Sequence, residues 1–229
     1  MHSSMPSRPS DSIFEEGDDE PLLGFQRLGL TVAHALKDLD AFDALLGAKD
    51  TLDERADIPP FFADHPHLTL CFGFYNARMA RLDRLAYELS LFGMFRPDII
   101  VGDWQRKAYC FVEFEDAKPG SIFHATGRRT SEWASRFQRG FSQVVDWFWL
   151  LDAQQDTPTF EAQFGRRSIH ASGVLVLGRD RFLDAADQQR FEWWRDHVIV
   201  ASRAVVCLTY DQLARDFRER LHFAQDAIT

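Results

Sequence analysis

The sequence predicts an α/β protein: a mixed central sheet flanked by helices, with a helical lead-in at the N-terminus. Apolar residues recur every three to four positions in the first quarter of the chain and again between residues 133 and 151, which is the helical period. Elsewhere stand short β-branched runs, PDIIVGD, AYCFVEF and HASGVLVLG, with the composition of strands. The order in which the two kinds alternate, α, β, β, α, β, α, β, α, is that of a sheet with helices packed on its faces.

At 229 residues and 45% hydrophobic, with six Trp, the chain is long and apolar enough for one sizeable core. A formal net charge of −9 leaves no global basic footprint, so contact with DNA has to come from local arginine clusters. Cys71, Cys110 and Cys207 lie far apart in apolar surroundings and form no CxxC pair, which predicts buried thiols in a reducing compartment. No run approaches the roughly 18 apolar residues of a membrane span, and the N-terminus lacks the basic-then-apolar order of a secretory leader. The expectation is a cytoplasmic protein with no membrane contact.

Residues 1–20, rich in Ser, Pro and acidic side chains, are expected to form a disordered tail, followed by a helical segment over 21–66 and the main domain over 67–229. In the helical segment Leu28, Val32, Leu36, Leu39, Phe42 and Leu45 share one face, and DIPPFFADHP reads as a loop or a short helix opened by proline. Met79, Leu82, Leu85 and Leu89 predict a further helix, with Arg78, Arg81 and Arg84 as a basic stripe upon it. PDIIVGD and AYCFVEF predict an antiparallel hairpin. Thr130, Ser131 and Glu132 suggest the cap of a helix running to about Leu151, on which Trp147 and Trp149 face different ways. HASGVLVLG predicts a central strand. The chain then continues with a helix over 184–196, one or two strand pieces in VIVASRAVVCLTY, and a closing helix that Asp211 caps.

The segment FVEFEDAKPGSIF places Glu113 and Glu115 at the end of the second hairpin strand, where Asp98 at the start of the first can meet them. Alternation puts both glutamates on one face, with Val112 and Phe114 on the opposite one, toward the core. One Asp and two Glu make an oxygen-rich site suited to Mg²⁺ or Mn²⁺, an ion that activates water and polarises a phosphodiester. Each residue also has a plainer reading: Asp98 as a turn residue, Asp116 as solvated or capping, Gln143 as a polar group on a helix surface. Glu113 is harder to read that way, because a charge inside a run as apolar as CFVEF is rarely buried without a partner.

An Asp after Pro at one strand, a Glu at the next and a following helix together resemble the PD-(D/E)XK, restriction-endonuclease-like superfamily. The longer succession YELSLFGMFRPDIIVGD, FVEFEDAKPGSIF, WASRFQRGFSQVVDWFWLLD, GVLVLGR and VVCLTYDQL resembles the nuclease domain of Shedu-type anti-phage defence proteins, from about residue 50 to about 222. The resemblance implies a restriction-endonuclease-like fold, a metal-dependent DNA nuclease and a homo-oligomer. It places Asp98 and Glu113 on the metal and Gln143 in support of the active site. Where most members carry a catalytic lysine, two residues after the strand glutamate, this chain has Glu115. Three outcomes stay open: Lys118 reaches back into the site, Glu115 recruits a second metal ion, or the chain is a catalytically degenerate module that only binds nucleic acid or a protein. For DNA, the local clusters are Arg78, Arg81 and Arg84, Arg128 and Arg129, Arg136 and Arg139, and Arg166 and Arg167.

Overall fold

The structure, a computed structural model, describes residues 24–127 and 130–226; the expected tail and the Arg128–Arg129 pair lie outside them. In chain order the elements are β1 (Gln26–Arg27), α1 (Val32–Ala48), α2 (Ile58–Asp64), α3 (Pro66–Leu70), β2 (Arg84–Tyr87), β3 (Ile99–Asp103), β4 (Ala108–Phe114), β5 (Phe123–His124) and β6 (Glu132–Trp133). They continue with α4 (Ser135–Gln154), α5 (Pro158–Phe164), β7 (His170–Val176), α6 (Ala185–His197), β8 (Ile199–Val200), β9 (Arg203–Leu208) and α7 (Tyr210–Asp226). Seven strands form one sheet in the order β1-β2-β3-β4-β7-β9-β8. The sheet is mixed: β1, β2, β3 and β4 are successively antiparallel, β4, β7 and β9 are mutually parallel and joined by connections that contain α4 and α6, and β8 is antiparallel to β9 at the edge. The predicted hairpin is present, with Ile99 opposite Val112 and Asp103 opposite Ala108.

Helices cover both faces of this sheet. Val112 and Phe114 point into a core built with Leu39 and Phe42 of α1, Phe62 of α2 and Phe217 of α7. Phe111 points the other way, into a second core with Phe137 and Trp147 of α4, Phe164 of α5 and Phe191 of α6. The face that carries Glu113 and Glu115 is therefore roofed by α4. The helices of the N-terminal segment share the first core with the last helix of the chain. Along α4, Trp147 is buried and Trp149 is 58% exposed, which follows from their angular separation on the helix.

Two expectations are corrected. The apolar spacing from Met79 to Leu89 does not make a helix: Arg84–Tyr87 is a strand paired with β3, which sends Leu85 to one core and Ala86 to the other. Pairing with an existing sheet outweighs a local period that four residues cannot establish. Arg84 is consequently buried, its guanidinium 5.5 Å from the Trp104 ring centre, and it belongs to no surface stripe. The second correction concerns α4, which begins at Ser135 rather than at the Thr130–Glu132 cap. Glu132 and Trp133 are drawn into the small β5–β6 ribbon instead.

Gly173 in β7 lets α4 close on the sheet, because a Cβ there would stand 2.4 Å from Val144 Cγ1 and 3.1 Å from Phe148 Cζ. Gly173→Ala is expected to cost about 1–3 kcal/mol through overpacking, read as a lower thermal midpoint. Adding Val144→Ala should restore part of the loss, and a midpoint unchanged in the single variant would contradict the close approach of α4.

Candidate active site

Asp98 directly precedes β3, whose first residue Ile99 pairs with Val112, so it lies at the same sheet end as Glu113. The Asp98 carboxylate also accepts the backbone N–H of Phe114 at 2.7 Å, which fixes its direction across the strand end. Asp98, Glu113 and Gln143 line one cavity of about 710 Å³, together with Glu54, Arg55, Glu88 and Arg96. Pro59, Pro60 and Ala63 of α2 supply another wall of this cavity. Phe62 of the same helix stacks on Phe114 with ring centres 4.8 Å apart, which pins that wall to the strand carrying Glu113.

Burial and crowding dominate the electrostatics. Burial pushes the Asp98 carboxyl up to about 7, against the Phe114 N–H bond, and Glu54, Glu88 and Glu115 push in the same direction as burial. Glu113 is raised to about 9, by burial first and then by Asp98, Glu115 and Glu54, while the Arg139 charge opposes the rise. Two carboxyls in this condition keep a proton at neutral pH unless a cation replaces it. As hard oxygen donors side by side they fit Mg²⁺, which binds through one or two carboxylates and fills its other positions with water and substrate phosphate. Among the described residues no group of three or more His, Cys, Asp or Glu is placed to hold a metal ion, so the donors on offer are this pair.

Glu115 has a different environment. Its side chain is fully buried and both oxygens are engaged: Arg139 Nε donates to Oε1 at 3.1 Å, and Arg139 Nη2 and Arg136 Nη1 each donate to Oε2 at 3.1 Å. Burial raises this carboxyl too, and the two arginines pull against it. Glu54 closes the cluster, accepting Arg136 Nη1 at 2.7 Å and Arg139 Nη2 at 3.4 Å. The strand end is itself firmly held, since Glu115 N donates to Val176 O and the buried Tyr210 hydroxyl donates to Glu115 O.

Lys118 stands apart from the Asp98–Glu113 pair. Its ammonium lies 3.2 Å from both Asp53 and Asp116, and it lines a neighbouring hollow of about 270 Å³ with Arg136 and Arg139. Asp116 is buried rather than solvated, accepting the Ser121 hydroxyl at 2.7 Å.

The arginine clusters separate by position. Arg136 and Arg139 reach Glu115 and line the neighbouring hollow with Lys118, whereas the cations lining the Asp98–Glu113 cavity itself are Arg55 and Arg96. Arg81 sits at the opposite end of the sheet, where its N–H and that of Ala80 are bound by Asp103 at the far end of β3. Arg166 and Arg167 precede β7, whose first residue pairs with Ala108, again at that far end. Glu54, Arg55, Glu88 and Arg96 are cavity residues that the sequence reading missed. Glu54 and Arg55 sit in an irregular segment whose spacing carries no signal, and Glu88 lies at a left-handed turn (φ 46°) just after β2.

Fold and site together define a mixed α/β protein with an acidic, partly enclosed cleft at a strand end between helical layers. Residues 52–214, most of the chain and all of the residues of this cleft, match the family described as Shedu protein SduA, C-terminal. The chain belongs to that family, and membership supports a role in anti-phage defence. No curated protein matches the chain. No helix among the described residues is long and apolar enough to cross a membrane.

Proposed function

We propose that the protein is a metal-dependent nuclease that hydrolyses DNA phosphodiester bonds in defence against phage. The observation that carries this reading is the buried, mutually repelling pair Asp98 and Glu113, facing a cavity that also holds Gln143 and the cationic Arg55 and Arg96. Asp98 and Glu113 would hold a divalent cation, Mg²⁺ or Mn²⁺, which would supply charge to polarise the phosphodiester and to acidify the attacking water. The chain itself orients. Asp98 is locked by the Phe114 N–H, Glu113 is fixed in the strand, and the Gln143 amide presents a donor and an acceptor to water or a phosphate oxygen. In the reaction a water oxygen bonds to phosphorus while the bond from phosphorus to one nucleoside oxygen breaks. The leaving oxygen takes up a proton, and the water's proton passes to solvent.

The test is cleavage of linear, nicked and supercoiled DNA with Mg²⁺, with Mn²⁺ and with chelator. Cutting is expected only with metal, falling to background in Glu113→Ala and in Asp98→Ala. Cutting that persists in chelator, or that survives Glu113→Ala, overturns the assignment of this pair; no cutting under any condition favours a binding module.

A further inference from the structure

Phosphodiester hydrolysis piles negative charge on the phosphoryl oxygens, and here it would do so beside Asp98, Glu113, Glu88 and Glu54. A fixed cation facing the phosphate is therefore needed in addition to any metal charge. The cavity's own cations, Arg55 and Arg96, come from irregular segments and neither is gripped by a carboxylate of the strand end. Lys118 is committed to Asp53 and Asp116, whereas a helix in the adjoining wall supplies two guanidinium groups bound to Glu115 at the strand end. Arg136, Arg139 and Gln143 fall at i, i+3 and i+7 of α4 and form one stripe over the end of β4.

We infer that Arg139 is the catalytic cation of this site and that Glu115 is a positioning residue holding its guanidinium beside the Asp98–Glu113 cavity; this rests on the phosphodiesterase reading above. Three observations carry it. Glu115 takes Arg139 through Nε and Nη2, the two-point grip that fixes a guanidinium in its plane, while Nη1 takes no part in these bonds. Arg139 is 58% exposed and shared between Glu115 and, more loosely at 3.4 Å, Glu54, so a phosphate can reach it, whereas Arg136 is 37% exposed and shared among Glu54, Glu115 and Asp116. Gly140 keeps helix and strand close enough for the grip: a Cβ there would stand 2.7 Å from Leu175 Cδ1 and 3.1 Å from Glu115 Cγ. A carboxylate at position 115 thus delivers positive charge to the site indirectly, by anchoring an arginine from the facing helix.

The test compares the full-length native chain with Arg139→Ala, Glu115→Gln and the double variant Arg139→Ala/Glu115→Lys, each checked for an unchanged melting temperature. Cleavage is read with Mg²⁺, and in chelator the salt dependence of binding to a short fluorescent duplex is read. Arg139→Ala should lower cleavage by about 100-fold or more and reduce the salt slope of binding by about one phosphate contact. Glu115→Gln, which loosens the grip but leaves the cation, should lower the cleavage rate at saturating DNA while the salt slope stays native. In the double variant a lysine reaches from the strand toward the place that Arg139 reaches from the helix, so a substantial part of both losses should return. A native chain that cuts alongside an Arg139→Ala that cuts equally well overturns this inference and leaves the nuclease standing. Loss in Arg139→Ala without recovery in the double variant assigns Arg139 a structural role and also overturns it. Absence of cutting by the native chain removes the nuclease reading and this inference with it.

Discussion

In chelator at about pH 8, Glu113→Gln melts at a higher temperature than the native chain, and near pH 4 the two melt together. The expectation follows from the direction of the Glu113 shift. Its carboxyl sits at about 9 in the folded protein, against 4.5 for the free side chain, because burial and the neighbouring Asp98, Glu115 and Glu54 disfavour the charge. Below about 4.5 folded and unfolded states both hold the proton and nothing is lost. As the pH rises toward 9 the unfolded chain releases the proton while the folded chain keeps it, so the native protein loses stability across that window. Glutamine carries no charge to bury and removes the loss. With 1.36 kcal/mol for each pKa unit, the gain near pH 8 is on the order of 2 kcal/mol or more, a rise of roughly 4 °C or more for a chain of this size. Divalent metal should raise the midpoint of the native protein at the same pH and leave Glu113→Gln nearly unmoved, since ligands that bind only the folded state stabilise it. On the proposed nuclease reading the same substitution should abolish cleavage, so stability and activity are expected to move in opposite directions at one residue. A midpoint that falls at both pH values would mean that Glu113 is ionised and paired in the native state.

What could be read in advance depended on how local each feature is. The hairpin was legible because PDIIVGD and AYCFVEF carry strand composition and are joined by four residues, and strand alternation then placed Glu113 and Glu115 on one face. Gln143 was reached only through the family resemblance, and the structure does bring it to the Asp98–Glu113 cavity. Strand β2 was missed because it is only four residues long and Leu82, Leu85 and Leu89 fall at a helical spacing, so that only pairing with β3 reveals the strand. The grip of Arg139 on Glu115 joins residues 24 positions apart and depends on the depth at which α4 sits. One signal for it was present, two arginines and a glutamine at i, i+3 and i+7 on the helix that follows the acidic strand, and it was read as a surface cluster for DNA. Glu54 joins the site across a gap of 82 residues to Arg136, a contact that no local pattern encodes.

Arg179→Met should be the most destabilising single change outside the aromatic cores, at about 3–5 kcal/mol, because it strands a charge and two carbonyls at once. Arg179 is 4% exposed and follows the central strand β7. Its Nε and Nη2 grip Asp211 at 2.8 and 2.9 Å, while Nη1 and Nη2 donate to the carbonyls of Lys49 and Leu46 at 2.8 and 3.0 Å. Those carbonyls belong to the C-terminal end of α1, where a helix leaves acceptors without intrahelical donors, and the last turn of α1 has no basic residue of its own. Asp211 in turn lies in the first turn of α7 and also accepts the Asp180 N–H at 2.8 Å. Asp211 was expected only to cap its own helix; in the structure it anchors the arginine that caps another. Its carboxyl is held low by the Arg179 and Asp180 bonds despite partial burial, so the pair contributes above the usual carboxylate range and weakens as pH falls below it. A thermal melt near pH 7 should show Arg179→Met lowered by roughly 10 °C. Arg179→Met/Asp211→Asn should recover part of that fall, since the second change removes the unpaired charge, whereas equal and additive losses would mean that the two side chains act independently. The consequence extends to the cleft. The chain leaving this end of α1 runs directly into Asp53, Glu54 and Arg55, so freeing it should loosen the Glu54 contact to Arg136 and Arg139 and lower cleavage even at temperatures where the rest of the variant stays folded.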